Sequence, residues 1–155
     1  MISRIAVVLI TALFLVPADT FAQQSATDVL TLEEAKRIAD AAEERANQDN
    51  WTVVITIVDS GGHPILLRRI DGTQLGSIDI ALEKAQTAVY YKRPTKAFQD
   101  GVSGGNHGLM ALPNVLPFEG GVPITRNGEI IGGIGVSGVT AQQDGIIAQA
   151  GIDAL

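Results

Sequence analysis

His63 and His107 are the only imidazoles in the chain, and both lie in glycine-rich turns, Ser60-Gly61-Gly62-His63-Pro64 and Ser103-Gly104-Gly105-Asn106-His107-Gly108. An imidazole so placed can ligate a metal or exchange protons near neutral pH. For His63, followed by proline in a tight turn, an exposed turn residue is the plainer reading. For His107 both readings stay open, because glycine-rich loops beside a sheet often line sites. Two histidines this far apart carry no zinc-ligand spacing. With no cysteine in the chain, thiolate sites and disulfides are excluded.

A second concentration of chemistry is Tyr90-Tyr91-Lys92-Arg93-Pro94-Thr95-Lys96. Lys92, Arg93 and Lys96 can pair with carboxylates of a ligand, helped by free amides at a helix start after Thr95. Cations at one helix end and a threonine cap on the next explain the same residues without a ligand. Glu119, Asp144, Asp79 and Lys84 have the chemistry for acid–base work, but nothing in their spacing says that any two meet, and solvated surface is the simpler account. Gly133-Ile134-Gly135-Val136-Ser137-Gly138 spells GxGxxG. It follows a hairpin strand with little chain after it, so close backbone packing explains it better than a dinucleotide loop.

These residues need elements to hold them. Thr52 to Val58 is an unbroken β-branched run, stiff at χ1 and apolar on both alternating faces, which predicts a strand covered on both sides. The turn at Asp59–Pro64 returns into Ile65–Ile70, which makes a hairpin at the centre of a sheet. Before it, Thr31 with Glu34 forms a capping box that opens a helix with a small-residue stripe. After it, Ser77 is placed to cap a second helix ending at Arg93-Pro94, and Thr95 to cap a third over 96–102. One helical turn is predicted over 109–112. Asn127-Gly128 then joins strands 122–125 and 129–136, and Thr140 with Gln143 opens a last helix. The order α-β-β-α-α-β-β-α predicts an α+β fold, a mostly antiparallel sheet of two hairpins flanked by helices.

At 46% hydrophobic and 18% charged, the 155 residues suit a globular domain. The formal net charge of −6 leaves no electrostatic footprint for nucleic acid. Residues 1–22 show a basic start, an apolar run from Ile5 to Val16 and small residues at Thr20-Phe21-Ala22, the order of a secretory signal peptide. Such a run spans about 18 Å as a helix against a hydrocarbon core of ~30 Å, too short for an anchor. The expectation is an exported chain, periplasmic or secreted, with a domain over 30–155 and no stable membrane insertion once the signal is removed.

Four segments carry a family resemblance: LTLEEAKRIADAAEERA, WTVVITIVDSGGHPILLRRIDGTQLGSIDIALEKAQTAVYYKRPT, FEGGVPITRNGEIIGGIGVSG and DGIIAQAGIDAL. Together they resemble the GlcG/HbpS family, which includes the C-terminal domain of PduO and is labelled haem-binding or haem-degrading. The resemblance spans Leu30 to Leu155. It implies a sheet flanked by helices, a homo-oligomer, and haem as cofactor. In a secreted member a threonine of an A-P-T segment approaches the iron; Thr95 matches it here, with Arg93 in place of the alanine. The macrocycle would then lie on apolar surface by the second helix, its propionates near Lys92, Arg93 or Lys96, with Thr95, Tyr91 or His107 facing iron. Scavenging, storage or sensing of haem would be the use, and enzymatic turnover stays open. Two alternatives stand beside it. One is a small enzyme or accessory acting on a glycolate-like carboxylate, with Glu119 or Asp144 as the acid–base group. The other is an oligomeric partner protein with no ligand of its own.

Overall fold

The computed structural model describes residues 29–155, and the signal-peptide reading of residues 1–22 lies outside them. The chain runs α1 (Leu32–Gln48), β1 (Val54–Asp59), β2 (Pro64–Arg69), α2 (Ser77–Tyr90), α3 (Lys96–Ser103), a 3₁₀ turn (His107–Ala111), β3 (Gly121–Arg126), β4 (Glu129–Ser137) and α4 (Ala141–Ile152). The four strands form one sheet in the order β2-β1-β4-β3, every pairing antiparallel. The α+β fold expected from the sequence is the fold observed. The first hairpin is not central as a unit, however. β1 sits inside, bonded to β4 as well as β2, while β2 is an edge strand whose outer residues carry Arg68 and Arg69.

The sheet separates two layers. On one side α1 and α4 cover Val53, Ile55, Ile57, Ile134 and Val136 through Ile38, the alanine stripe Ala35/Ala39/Ala42/Ala46, Ile147 and Ala148. On the other side α2 lies on Val58 through Ala85 and Val89. Residues 54–58 of β1 are fully buried, as a strand covered on both faces must be. The glycine pattern belongs to the α2 side. A Cβ on Gly135 would collide with the carbonyl of Ala81, and one on Gly133 would stand 2.8 Å from Val89 and 2.9 Å from the Ala85 carbonyl. GxGxxG here is a bed that lets the backbone of α2 approach the sheet.

Both capping boxes form. The Thr31 hydroxyl accepts from Glu34 N–H while the Glu34 carboxylate accepts from Thr31 N–H, and Thr140 and Gln143 repeat the arrangement. Ser77 does not cap α2, for Gly76 occupies the N-cap. Ser77 lies one residue inside and buried, where its Oγ accepts from Ser137 Oγ at 3.2 Å and from Gln74 Nε2 at 3.1 Å. A hydroxyl at a helix start can bond the next turn or the neighbouring strand, and here the strand wins.

Candidate functional site

The structure divides the candidate residues between a buried junction and an exposed rim. At the junction, Lys84 of α2 reaches Asp144 in the first turn of α4, Nζ to Oδ2 at 2.7 Å, with the two side chains only 2% and 3% exposed. Lys84 Nζ also donates to the Val136 carbonyl at 2.9 Å, and Asp144 Oδ1 accepts from Val139 N–H at 3.3 Å. Burial pushes the Lys84 ammonium below its ordinary range and the Asp144 carboxyl above its own; each partner's charge pulls the other way.

The preceding loop makes room for this pair. Gly120 has φ of +124°, and a Cβ there would stand 2.7 Å from the Val136 carbonyl and 2.9 Å from Lys84 Nζ. Its neighbour Gly121 is held by Thr95, whose hydroxyl accepts the Gly121 N–H at 2.9 Å while Thr95 N–H donates to the Gly121 carbonyl at 2.9 Å. Thr95 is fully buried. It stands at the N-cap position of α3, yet no side-chain capping bond forms, because the hydroxyl is spent on β3. A buried hydroxyl needs a hydrogen-bond partner, and here the Gly121 backbone supplies it.

Around this junction the basic segment spreads outward. The Tyr91 hydroxyl donates to the Pro113 carbonyl at 2.6 Å, and its ring meets Phe98 edge-on at 5.3 Å. The Arg93 guanidinium lies over the Phe98 ring at 5.6 Å. Lys92, at the end of α2, has φ of +53° and is exposed. Lys96 pairs with Asp100 at 2.8 Å and stands 4.0 Å from Glu119. That hydrogen bond to Asp100 holds the Lys96 pKa above its ordinary value. The three cations thus differ in what they already meet: Arg93 stacks on Phe98, Lys96 is paired, and Lys92 is exposed.

His107 opens the 3₁₀ turn, exposed, and its imidazole has no hydrogen-bond partner among the described residues. Met110, three residues on and 57% exposed, shares its face, since a 3₁₀ turn eclipses i and i+3. Leu112, just past the turn, is also exposed, and Tyr91 ties this segment to α2 through Pro113. His63 lies elsewhere, 82% exposed and 3.4 Å from Asp59 across its own turn. Asp79 is exposed. Among the described residues no group of three or more acidic, histidine or cysteine side chains could hold a metal ion, and no helix is long and apolar enough to cross a membrane.

The Lys84–Asp144 contact is what sequence reasoning missed. Sixty positions separate the two, on helices lying on opposite faces of the sheet. The one available signal was the Gly120-Gly121 pair, where a chain with no side chains admits a lysine end.

The family described as "Haem degrading protein HbpS-like" matches residues 30–153. A 15.0 kDa protein of the dhaT-dhaS intergenic region of Citrobacter freundii is 39% identical over 135 residues, which cover 84% of this chain and 94% of that protein. Protein GlcG of Escherichia coli K12 is 38% identical over 109 residues, covering 70% of this chain and 81% of GlcG. Among solved structures, the PduOC:Heme complex superposes with a TM-score of 0.76 at 37% identity, covering 82% of this chain and 95% of that one.

Proposed function

We propose a function from one premise: the chain belongs to the HbpS-like family. On that premise it binds haem, at the exposed surface formed by the 3₁₀ turn and the loop that follows. The observation that carries this reading is the His107 imidazole, exposed and without a protein partner, beside the apolar side chains of Met110 and Leu112. A solved relative described as a haem complex supports the choice of ligand.

The residues fit haem at one donor and not at another. Imidazole is a common axial ligand and is free at His107. The Thr95 hydroxyl is buried and bonded to Gly121, so Thr95 acts in this reading as a positioning residue that fixes the start of α3. Tyr91 acts similarly, because its hydroxyl fastens the His107 loop to α2. Lys92 and Arg93 are the exposed cations at that helix end for the propionates. Lys96 is the weakest of the three, matched already by Asp100 and Glu119. Bound haem would supply an iron whose potential is set by its axial ligand and by burial of the ring. The residues of this chain hold and orient it.

The uses that suit such a surface are scavenging, storage or sensing. Export rests on the leader pattern of residues 1–22, and N-terminal sequencing of the secreted or periplasmic product tests it. A homo-oligomer would cover exposed Met110 and Phe118, and light scattering with and without haem tests that. A small carboxylate has less behind it. Gly121 N–H is committed to Thr95, Glu119 would repel an anion at Lys96, and Asp144 is already paired.

The test is a haem titration followed by absorbance, with albumin as competitor. A saturable, shifted Soret band at a fixed haem-to-subunit ratio, lost in His107→Ala, is the expected result. Absorbance that never saturates and is stripped by albumin contradicts the reading.

A further inference from the structure

A cavity of about 350 Å³ opens beside the buried ion pair, with Lys84 and Asp144 in its wall and Ile80, Leu116, Phe118 and Val139 among its apolar lining. Lys84 Nζ carries three N–H bonds; Val136 O and Asp144 Oδ2 take two, and the third has no acceptor among the described residues. A buried ion pair is weak evidence for stability, because desolvation can exceed its Coulombic gain. The pair is formally neutral, so a charged ligand gains no net attraction and must shed its hydration against an apolar wall. A neutral molecule with one polar oxygen loses little and finds a free donor.

We propose that this cavity admits a small neutral aldehyde or ketone, and that Lys84 condenses with its carbonyl carbon to form an imine. Asp144 first takes a proton from the Lys84 ammonium, which leaves a neutral amine and a carboxylic acid 2.7 Å apart. The amine lone pair adds to the carbonyl carbon, and a nitrogen proton passes to the oxygen to give a carbinolamine. Asp144 returns its proton to that hydroxyl, the C–O bond breaks, and water leaves. The sum is ammonium plus carbonyl giving protonated imine plus water, with no oxidant or reductant consumed. The product iminium and the Asp144 carboxylate again form a neutral pair, so the cavity holds the same charge before and after. Burial favours the first proton transfer, because it disfavours both charged forms together. A desolvated lysine beside a proton acceptor is the arrangement in which amines become nucleophiles. The site is separate from the His107 surface and does not depend on haem.

The experiment is reductive trapping of the full chain with butanone and sodium cyanoborohydride, read by peptide mass mapping. Lys36, Lys92 and Lys96, all exposed, are the internal controls, and they are the only other lysines. The expected result is butylation of Lys84 that saturates with butanone and runs ahead of the three controls. Unfolding in urea should bring Lys84 down to the control rate. Asp144→Asn, which keeps the side-chain volume, should slow trapping by about 10²-fold or more, as loss of a positioned acid–base group does. Lys84 left unmodified in the folded chain, or trapped no faster than in urea, overturns the proposal. That comparison needs no variant, so a misfolded substitution cannot obscure it.

Discussion

The Lys84–Asp144 junction and the His107 surface differ in burial and in how far their polar groups are already bonded. At the junction Lys84 and Asp144 bond each other and nearby backbone, with one Lys84 N–H to spare, and Gly120, Gly121 and Thr95 are shaped around the pair. At the surface, His107, Lys92 and Met110 project from turns and helix ends into solvent. The difference teaches that a candidate residue is judged by whether its bonding capacity is already used. By that measure the Thr95 hydroxyl is already bonded and the His107 imidazole is free.

Substitutions should therefore separate the two regions, with stability moving at one and haem at the other. Lys84→Met leaves Asp144 buried without its partner and should cost about 3–5 kcal/mol in a denaturant titration. The double change Lys84→Met with Asp144→Leu should recover most of that loss, since a well-packed apolar pair replaces a buried ionic one at little or no net cost. Full loss in the double variant would mean that the pair does more than satisfy itself.

Thr95→Val comes next. It strands the Gly121 N–H in a buried place, so about 1–3 kcal/mol should be lost while the haem midpoint stays put. A haem midpoint that moves with Thr95→Val while stability holds would return Thr95 to the binding surface.

The pH dependence of stability sharpens the contrast further. Asp144 has its folded pKa raised by burial, so its stabilising contribution is present below the unfolded value of 3.8 and falls as pH rises through the folded value. Lys84 has its folded pKa lowered by burial, so its contribution is present above 10.5 and falls as pH drops through the folded value. Both contributions fall away toward the middle of the pH range, where the junction is at its least favourable. The double variant, compared with wild type, should flatten this trough; an unchanged pH profile would contradict the assignment. Smallest of all, His107→Ala should change stability by no more than about 0.5 kcal/mol, as exposed substitutions do.

Much of the fold was legible because its signals are local. The β-branched run of β1, the Asn127-Gly128 turn and the two capping boxes each fix their element from a few neighbouring residues. The packing role of Gly133 and Gly135 followed from their place on a hairpin strand. What was not legible is set by distant partners. Ser77 and Thr95 looked like caps because the sequence cannot show that Ser137 and Gly121 compete for their hydroxyls. Lys84 and Asp144 looked like separate surface charges because they lie 60 positions apart, on helices packed against opposite faces of the sheet. The edge position of β2 was hidden for the same reason: only the pairing of β1 with β4 puts it outside.

The most direct measurement is haem titration of wild type and His107→Ala side by side, with thermal unfolding of each to show that both are folded. The account predicts a saturable Soret shift in wild type, its loss in His107→Ala, and matching unfolding curves. An identical Soret shift in the two proteins would contradict it and move the haem away from the His107 surface.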